Sequence, residues 1–229
     1  MRYLTCVLMH LRKDLRLEWR SRDSINGMLF FVLLMVVVFS IAFDPAAYPT
    51  TARQISGGLL WVALLFASMT TLNQSWAREQ RNQVIEAQRM APSPASSFFV
   101  GKALANMVFV LVVEAILSPI FVIFFNLHIL GNAWLLALIL PLGTWALVVN
   151  GTFFAALGLR ARNRELLLPL ILLPLSIPAI LMMVQATTGV ITAELDPLYV
   201  RSWITQLAGY DIIYTTVCIL LFDTILNAE

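Results

Sequence analysis

SINGMLFFVLLMVVVFSIAF, Ser24–Phe43, is the stretch that decides the fold. It runs from Asp23 to Asp44 without a charge, and at about 1.5 Å of helix rise per residue its twenty positions match a hydrocarbon core of about 30 Å. A helix of this composition crosses a membrane. Working outward, Gln54–Ala77 contains GGLLWVALLFASMTTL and is also uncharged, and the intervening DPAAYPTT reads as a short external turn. Ala103–Leu159 carries one charge, Glu114, and is far too long for one crossing. Dividing it at NLHILGN, Asn126–Asn132, gives a third and a fourth span. Leu166–Gly189 supplies a fifth and Thr205–Leu226 a sixth.

Composition agrees. Of 229 residues 60% are hydrophobic and 12% charged, with a mean hydropathy of +0.84, against about 25% charged in a soluble domain. A soluble enzyme is excluded. A net charge of +2 is too small to indicate a nucleic-acid partner. Cys6 and Cys218 are far apart and belong to no CxxC or Cys/His cluster, so no disulfide framework, structural zinc or covalent haem site is predicted. No metal site is assigned, and the scattered charges of the first 23 residues argue against a cleaved signal peptide.

Basic residues orient the spans. Thirteen of the fifteen lie in residues 1–23, in 78–102 and in the turn holding Arg160, Arg162 and Arg164, while the opposite loops have only Arg53 and Arg201. By the positive-inside rule both termini and the two basic loops are cytoplasmic.

Several segments are candidates for function. Leu4, Leu8, Leu11, Leu15 and Trp19 recur at helical spacing beside Arg12, Lys13, Arg16 and Arg20, predicting a helix along the interface: a basic anchor to anionic lipid, an elbow into the first span, or both. WAREQRNQVIEAQRMAPSPASSFFVGK is the longest inside loop, with helix formers from Arg78 to Met90 and a stop at Pro92–Pro94; it reads as a docking helix or a solvated connector. Gly101-Lys102 is not a phosphate loop, because Ala103 and Ser96 replace the required hydroxyl and first glycine. Pro169, Pro174 and Pro178 bend or break the fifth span, as a moving part or a static kink. Gly189–Trp203 is semi-polar and allows a short re-entrant or interfacial helix on the outer side.

Glu114 lies deep enough that it must face protein or water, whereas Asp211 and Asp223 fall toward the two ends of the sixth span. These three are the intramembrane polar candidates. His10 and His128 are too separated to share a metal, and Asn150, Gly151, Ala155 and Gly158 offer a small-residue packing face.

Four stretches, KDLRLEWRSRDSINGMLFF, GLLWVALLFASMTTLNQSWARE, RARNRELLLPLILLPLSIP and YDIIYTTVCILLFDTIL, together resemble the cytochrome c maturation protein B (haem exporter protein B) family, membrane subunits of a bacterial ABC transporter. The resemblance covers the whole chain and rests on order and spacing rather than on one signature. It implies an all-α integral membrane fold, ABC-2-type permease-like, with six transmembrane helices and an N-terminal interfacial elbow helix. Residues 1–229 would form one permease domain, with 1–23 as the elbow and 78–97 as a cytoplasmic coupling loop in the bacterial inner membrane. The implied coupling residues toward the ATP-binding subunit are Glu79, Glu86, Arg89 and Pro92. Where relatives usually carry a glycine and a leucine-rich run, this chain has Gln83 and AQRM. The implied partners are the ATP-binding subunit (protein A), a haem-handling membrane subunit (protein C), a small subunit (protein D), a periplasmic haem chaperone (protein E) and a second copy of this chain. Haem would be handled by the complex and ATP with Mg by the partner; this chain would bind neither and would act in release of the loaded chaperone. The other classes are a stand-alone secondary transporter or channel using Glu114 and the aspartates, and a passive scaffold for haem-protein assembly.

Overall fold

In lipid every backbone polar group must be satisfied within the chain, and among the residues described the chain answers with helices throughout and no strand. The computed structural model describes residues 3–91, 93–158, 164–193 and 196–227, with 164–169 and 227 as backbone only. The elements are α1 (Tyr3–Ser21), α2 (Asp23–Phe43), α3 (Pro49–Arg81), α4 (Val84–Met90), α5 (Ala95–Phe124), a single 3-10 turn (Ala133–Leu135), α6 (Leu136–Leu157), α7 (Arg164–Thr192) and α8 (Pro197–Asn227). Six are long and apolar enough to cross a membrane: α2, α3, α5, α6 with its preceding turn, α7 from Leu170, and α8. The chain is a multi-pass membrane protein.

The helices pack around α6, which lies against α3, α5, α7 and α8. The outermost, α2, buries one stripe of Ser24, Met28, Val32 and Val36, the spacing of a helix touching its neighbours along a single edge. Among the described residues five helix ends are marked by a non-glycine residue in the left-handed region: Arg22, Asp44, Gln83, Asn126 and Ala193. The division at Asn126 is where α5 ends.

Three boundaries differ from the sequence reading. The helix α3 continues past Ala77 to Arg81, so Arg78–Arg81 belong to it, and the helix in the loop is only Val84–Met90. The third span begins at Ala95 rather than Ala103, which takes Lys102 into a helix. The sixth begins at Pro197 rather than Thr205. There the Leu198 N–H donates to Asp196 Oδ1 at 2.9 Å, and Asp before Pro is a strong helix start, since proline at the first position forfeits no intrahelical bond. Among the described residues of 189–203 there is no separate helix; α7 runs to Thr192 and α8 starts at Pro197. Asp211 consequently lies in the middle of α8, while Asp223 is exposed near its end. The cause is common to all three. Helices α3, α5 and α8 have 33, 30 and 31 residues, and at about 1.5 Å per residue each exceeds a hydrocarbon core of about 30 Å; apolarity marks where lipid ends, not where the helix ends.

Candidate coupling site

At one end of the bundle α1, α3 and α5 converge on a buried lysine. Gly101 lets α1 approach α5, since a Cβ there would stand 2.6 Å from His10 Cβ and 2.9 Å from the Val7 carbonyl oxygen. The next residue, Lys102, is 1% exposed. Its Nζ donates to Asp14 Oδ2 of α1 at 3.1 Å and to Glu79 Oε1 of α3 at 2.8 Å, and it lies 5.1 Å from the Trp76 ring centroid and 5.8 Å from that of Phe98. Lys13 Nζ adds a second contact to Glu79 Oε1 at 2.7 Å. A charge removed from water is tolerated only with paired, hydrogen-bonded partners, and here carboxylates and aromatic faces both serve.

A second ion pair fixes the joint between α1 and α2. Glu18, 0% exposed, accepts from the Ser24 N–H at 2.7 Å, from Ser24 Oγ at 3.0 Å and from Arg78 Nη2 at 2.7 Å. The carboxylate satisfies donors that the first turn of α2 leaves without intrahelical acceptors. Three cations, Lys13, Arg78 and Lys102, thus meet three carboxylates, Asp14, Glu18 and Glu79. His10 packs on Phe98 with ring centroids 5.0 Å apart; burial and the Lys13 ammonium hold its pKa below the ordinary value near 6.5.

The short helix α4 is carried on this platform. It joins α3 just after Glu79 to α5 just before Lys102, and Arg89 Nε donates to the Leu226 carbonyl of α8 at 2.6 Å. Glu86 and Arg89 are exposed on it. Beside them a cavity of about 250 Å³ is lined by Trp76, Gln80, Leu157 and Phe222 among others. Trp76 reaches inward, its Nε1 donating to the Thr152 carbonyl of α6 at 2.9 Å.

Of the residues singled out in sequence, Glu86 and Arg89 thus share α4, while Glu79 is turned inward and 4% exposed; Pro92 lies outside the described residues. Glu114 belongs elsewhere, accepting from Thr144 Oγ1 of α6 at 2.6 Å. Asp211 is buried with both carboxylate oxygens unpartnered. The proline helix α7 runs unbroken through Pro169, Pro174 and Pro178. Between the last two, the Leu175 carbonyl accepts from Tyr210 Oη at 3.1 Å, and Tyr210 Oη in turn accepts from Asn150 Nδ2 at 2.8 Å. The Tyr210 hydroxyl of α8 thus links α6 to α7 between two of its prolines. Gly151, in the small-residue face, meets Leu72 of α3. Lys102 and Asp14 were missed as site residues. The signal available was a lysine followed by an otherwise apolar run, which requires a buried carboxylate partner.

The family described as "CcmB protein" matches residues 5–226. The chain belongs to the CcmB family. Among its relatives, "Heme exporter protein B" of Paracoccus denitrificans is 32% identical over 176 residues, 76% of this chain and 78% of that protein. The protein of the same name from Rhodobacter capsulatus is 31% identical over 172 residues, 75% and 77% of the two chains. That of Escherichia coli K12 is 27% identical over 95 residues, 42% of each. The family assignment spans every element of the coupling site. At Gln83 φ is 55°, a conformation in which glycine is free of the Cβ penalty.

Proposed function

We propose that this chain is the permease subunit of a haem-export complex in the bacterial inner membrane, in which a separate ATP-binding subunit drives haem delivery for cytochrome c biogenesis. The reading rests on family membership and on relatives named heme exporter protein B. The observation that carries the coupling part is α4: an exposed helix tethered to α3, α5 and α8, with the first two locked to α1 through Lys102. Force applied at Glu86 and Arg89 passes into the bundle through the chain joining α4 to α3 and α5 and through the Arg89 bond to α8, and the two spans it pulls on are held to α1 by buried ion pairs. Two copies of the chain, the ATP-binding subunit, the haem-handling membrane subunit and its small companion complete the assembly, and ATP with Mg belongs to the nucleotide-binding partner.

Haem is cargo, and its release with the periplasmic chaperone is assigned to motion of this subunit against the haem-handling one. In support, His10 lies between α1 and α5 at the charged end, while His128 is exposed in the loop after α5 at the other, so one iron cannot take both from one chain. The test is co-purification from cells producing the whole complex, with Glu86→Lys as the variant. Charge reversal at a docking contact is expected to lower recovery of the ATP-binding subunit at least about tenfold and to lower cytochrome c yield with it. Normal assembly and normal yield would place coupling elsewhere.

A further inference from the structure

The two carboxylates of α1 both point inward, Asp14 to Lys102 and Lys13, Glu18 to Arg78 and the start of α2. Its outward arginines are left without compensation. Arg12, Arg16 and Arg20 stand four residues apart, all exposed, and none makes an ion pair among the described residues. Spacing by four puts them in one row along the helix. They border a groove of about 520 Å³ between α1 and α5, with Trp19 on the rim and Val108 and Val112 in the wall. Those valines are 40% and 36% exposed on a span of mean hydropathy 2.7, so they face acyl chains, and Trp19 is 70% exposed. An uncompensated row of guanidinium groups thus meets a lipid-facing apolar wall, with an indole at the boundary, where tryptophan sits in membranes.

We propose that this groove seats one anionic phospholipid, its phosphate on Arg12, Arg16 and Arg20 and one acyl chain along Val108 and Val112. Guanidinium forks match phosphate oxygens, and basic pockets beside transmembrane helices select anionic headgroups over zwitterionic ones. The site lies on the face of α1 opposite the carboxylates that hold Lys102, so a bound lipid would press the elbow onto α5 and support the coupling platform. The inference needs only that the chain spans a membrane; it is independent of what the complex exports.

The experiment uses the full chain in detergent micelles with equimolar phosphatidylglycerol and phosphatidylcholine of identical acyl chains, read by native mass spectrometry. The wild-type chain is expected to retain phosphatidylglycerol at least about tenfold over phosphatidylcholine. At about fivefold per arginine, the triple variant Arg12→Gln, Arg16→Gln, Arg20→Gln should lose roughly a hundredfold in affinity, while the triple change to Lys keeps the preference. Val112→Trp, which fills the groove and leaves every charge in place, should lower retention at least about fivefold. If the triple Gln variant does not fold, the wild-type preference and Val112→Trp decide. Equal retention of the two lipids by the wild-type chain would overturn the proposal, as would unchanged retention by Val112→Trp. So would a folded triple Gln variant that keeps its phosphatidylglycerol.

Discussion

Lys102 is sealed from solvent with two carboxylates within 3.1 Å, so its removal is costlier than its presence is stabilising. Lys102→Met keeps much of the volume and strands Asp14 and Glu79, and loss of one partner from a buried ion cluster costs about 3–5 kcal/mol. Lys13 still reaches both carboxylates, so the expected loss is at the low end, about 3 kcal/mol, measured by unfolding of the purified chain in mixed micelles. Adding Glu79→Gln should recover part of it, since one stranded charge is then gone. If Lys102→Met is as stable as wild type, the cluster is not holding the helices. Gln83 makes the opposite prediction. With φ at 55° it bears a Cβ penalty of about 1–2 kcal/mol, partly offset by the extra freedom glycine has in the unfolded chain. Gln83→Gly should stabilise by about 0.5–1 kcal/mol in the same assay, and a loss of stability would mean the side chain makes a contact that outweighs the turn.

Among the elements, α7 shows how a helix carrying three prolines can stay continuous in a bundle. Its neighbours tie it in place: Asn150 of α6 donates to Tyr210 of α8, which donates to the Leu175 carbonyl of α7. Tyr210→Phe keeps the ring stacked on Tyr214, 4.0 Å between centroids, and deletes only the hydroxyl. It leaves the buried Asn150 amide donor without its acceptor, at a cost of about 1–3 kcal/mol. The check is thermal unfolding of the variant beside Thr216→Val, whose hydroxyl donates to the Ile212 carbonyl of its own helix on the exposed face of α8 and whose loss should be smaller. Equal effects would deny the relay its role. Periodicity and hydropathy make such helices legible in sequence, and the number of spans follows from them because a charge-free run of about 20 residues has few alternatives in lipid. What they do not convey is which polar side chain finds which, because Asn150, Tyr210 and Leu175 are brought together by the packing of three helices. The same holds for Lys102: counted as a loop cation by its neighbours in sequence, it is a core residue because Gly101 admits α1. The exposed helical position of Glu86 was legible, since a short helix between spans depends on local pattern alone.

Across the whole molecule the two ends differ in chemistry, and this orients it. One end carries the three-cation, three-carboxylate cluster, α4 with Arg89, and the row Arg12, Arg16 and Arg20. At the other, the loop after α5 is sewn to α7 by Leu130 N–H to the Ile191 carbonyl at 3.2 Å and Gly131 N–H to the Val190 carbonyl at 3.0 Å. Arginine and lysine are retained on the cytoplasmic side of short loops, so the end with the cluster should be inside. Single cysteines can test this in a chain whose own Cys6 and Cys218, both buried, have been replaced by serine. Gly131 is a poor position, because a Cβ there would stand 2.5 Å from the Val190 carbonyl oxygen. Ala47, Asn132 and Asp196 are exposed at the same end and should react with an impermeant maleimide applied to spheroplasts, while Arg89→Cys should react only after the membrane is opened. Labelling of Arg89→Cys from outside would invert the molecule and put α4 out of reach of any cytoplasmic nucleotide-binding partner. Labelling at Ala47 and Asp196 without Asn132 would instead contradict the pairing of the outer loops, since all three stand at the end where α7 closes against the loop after α5.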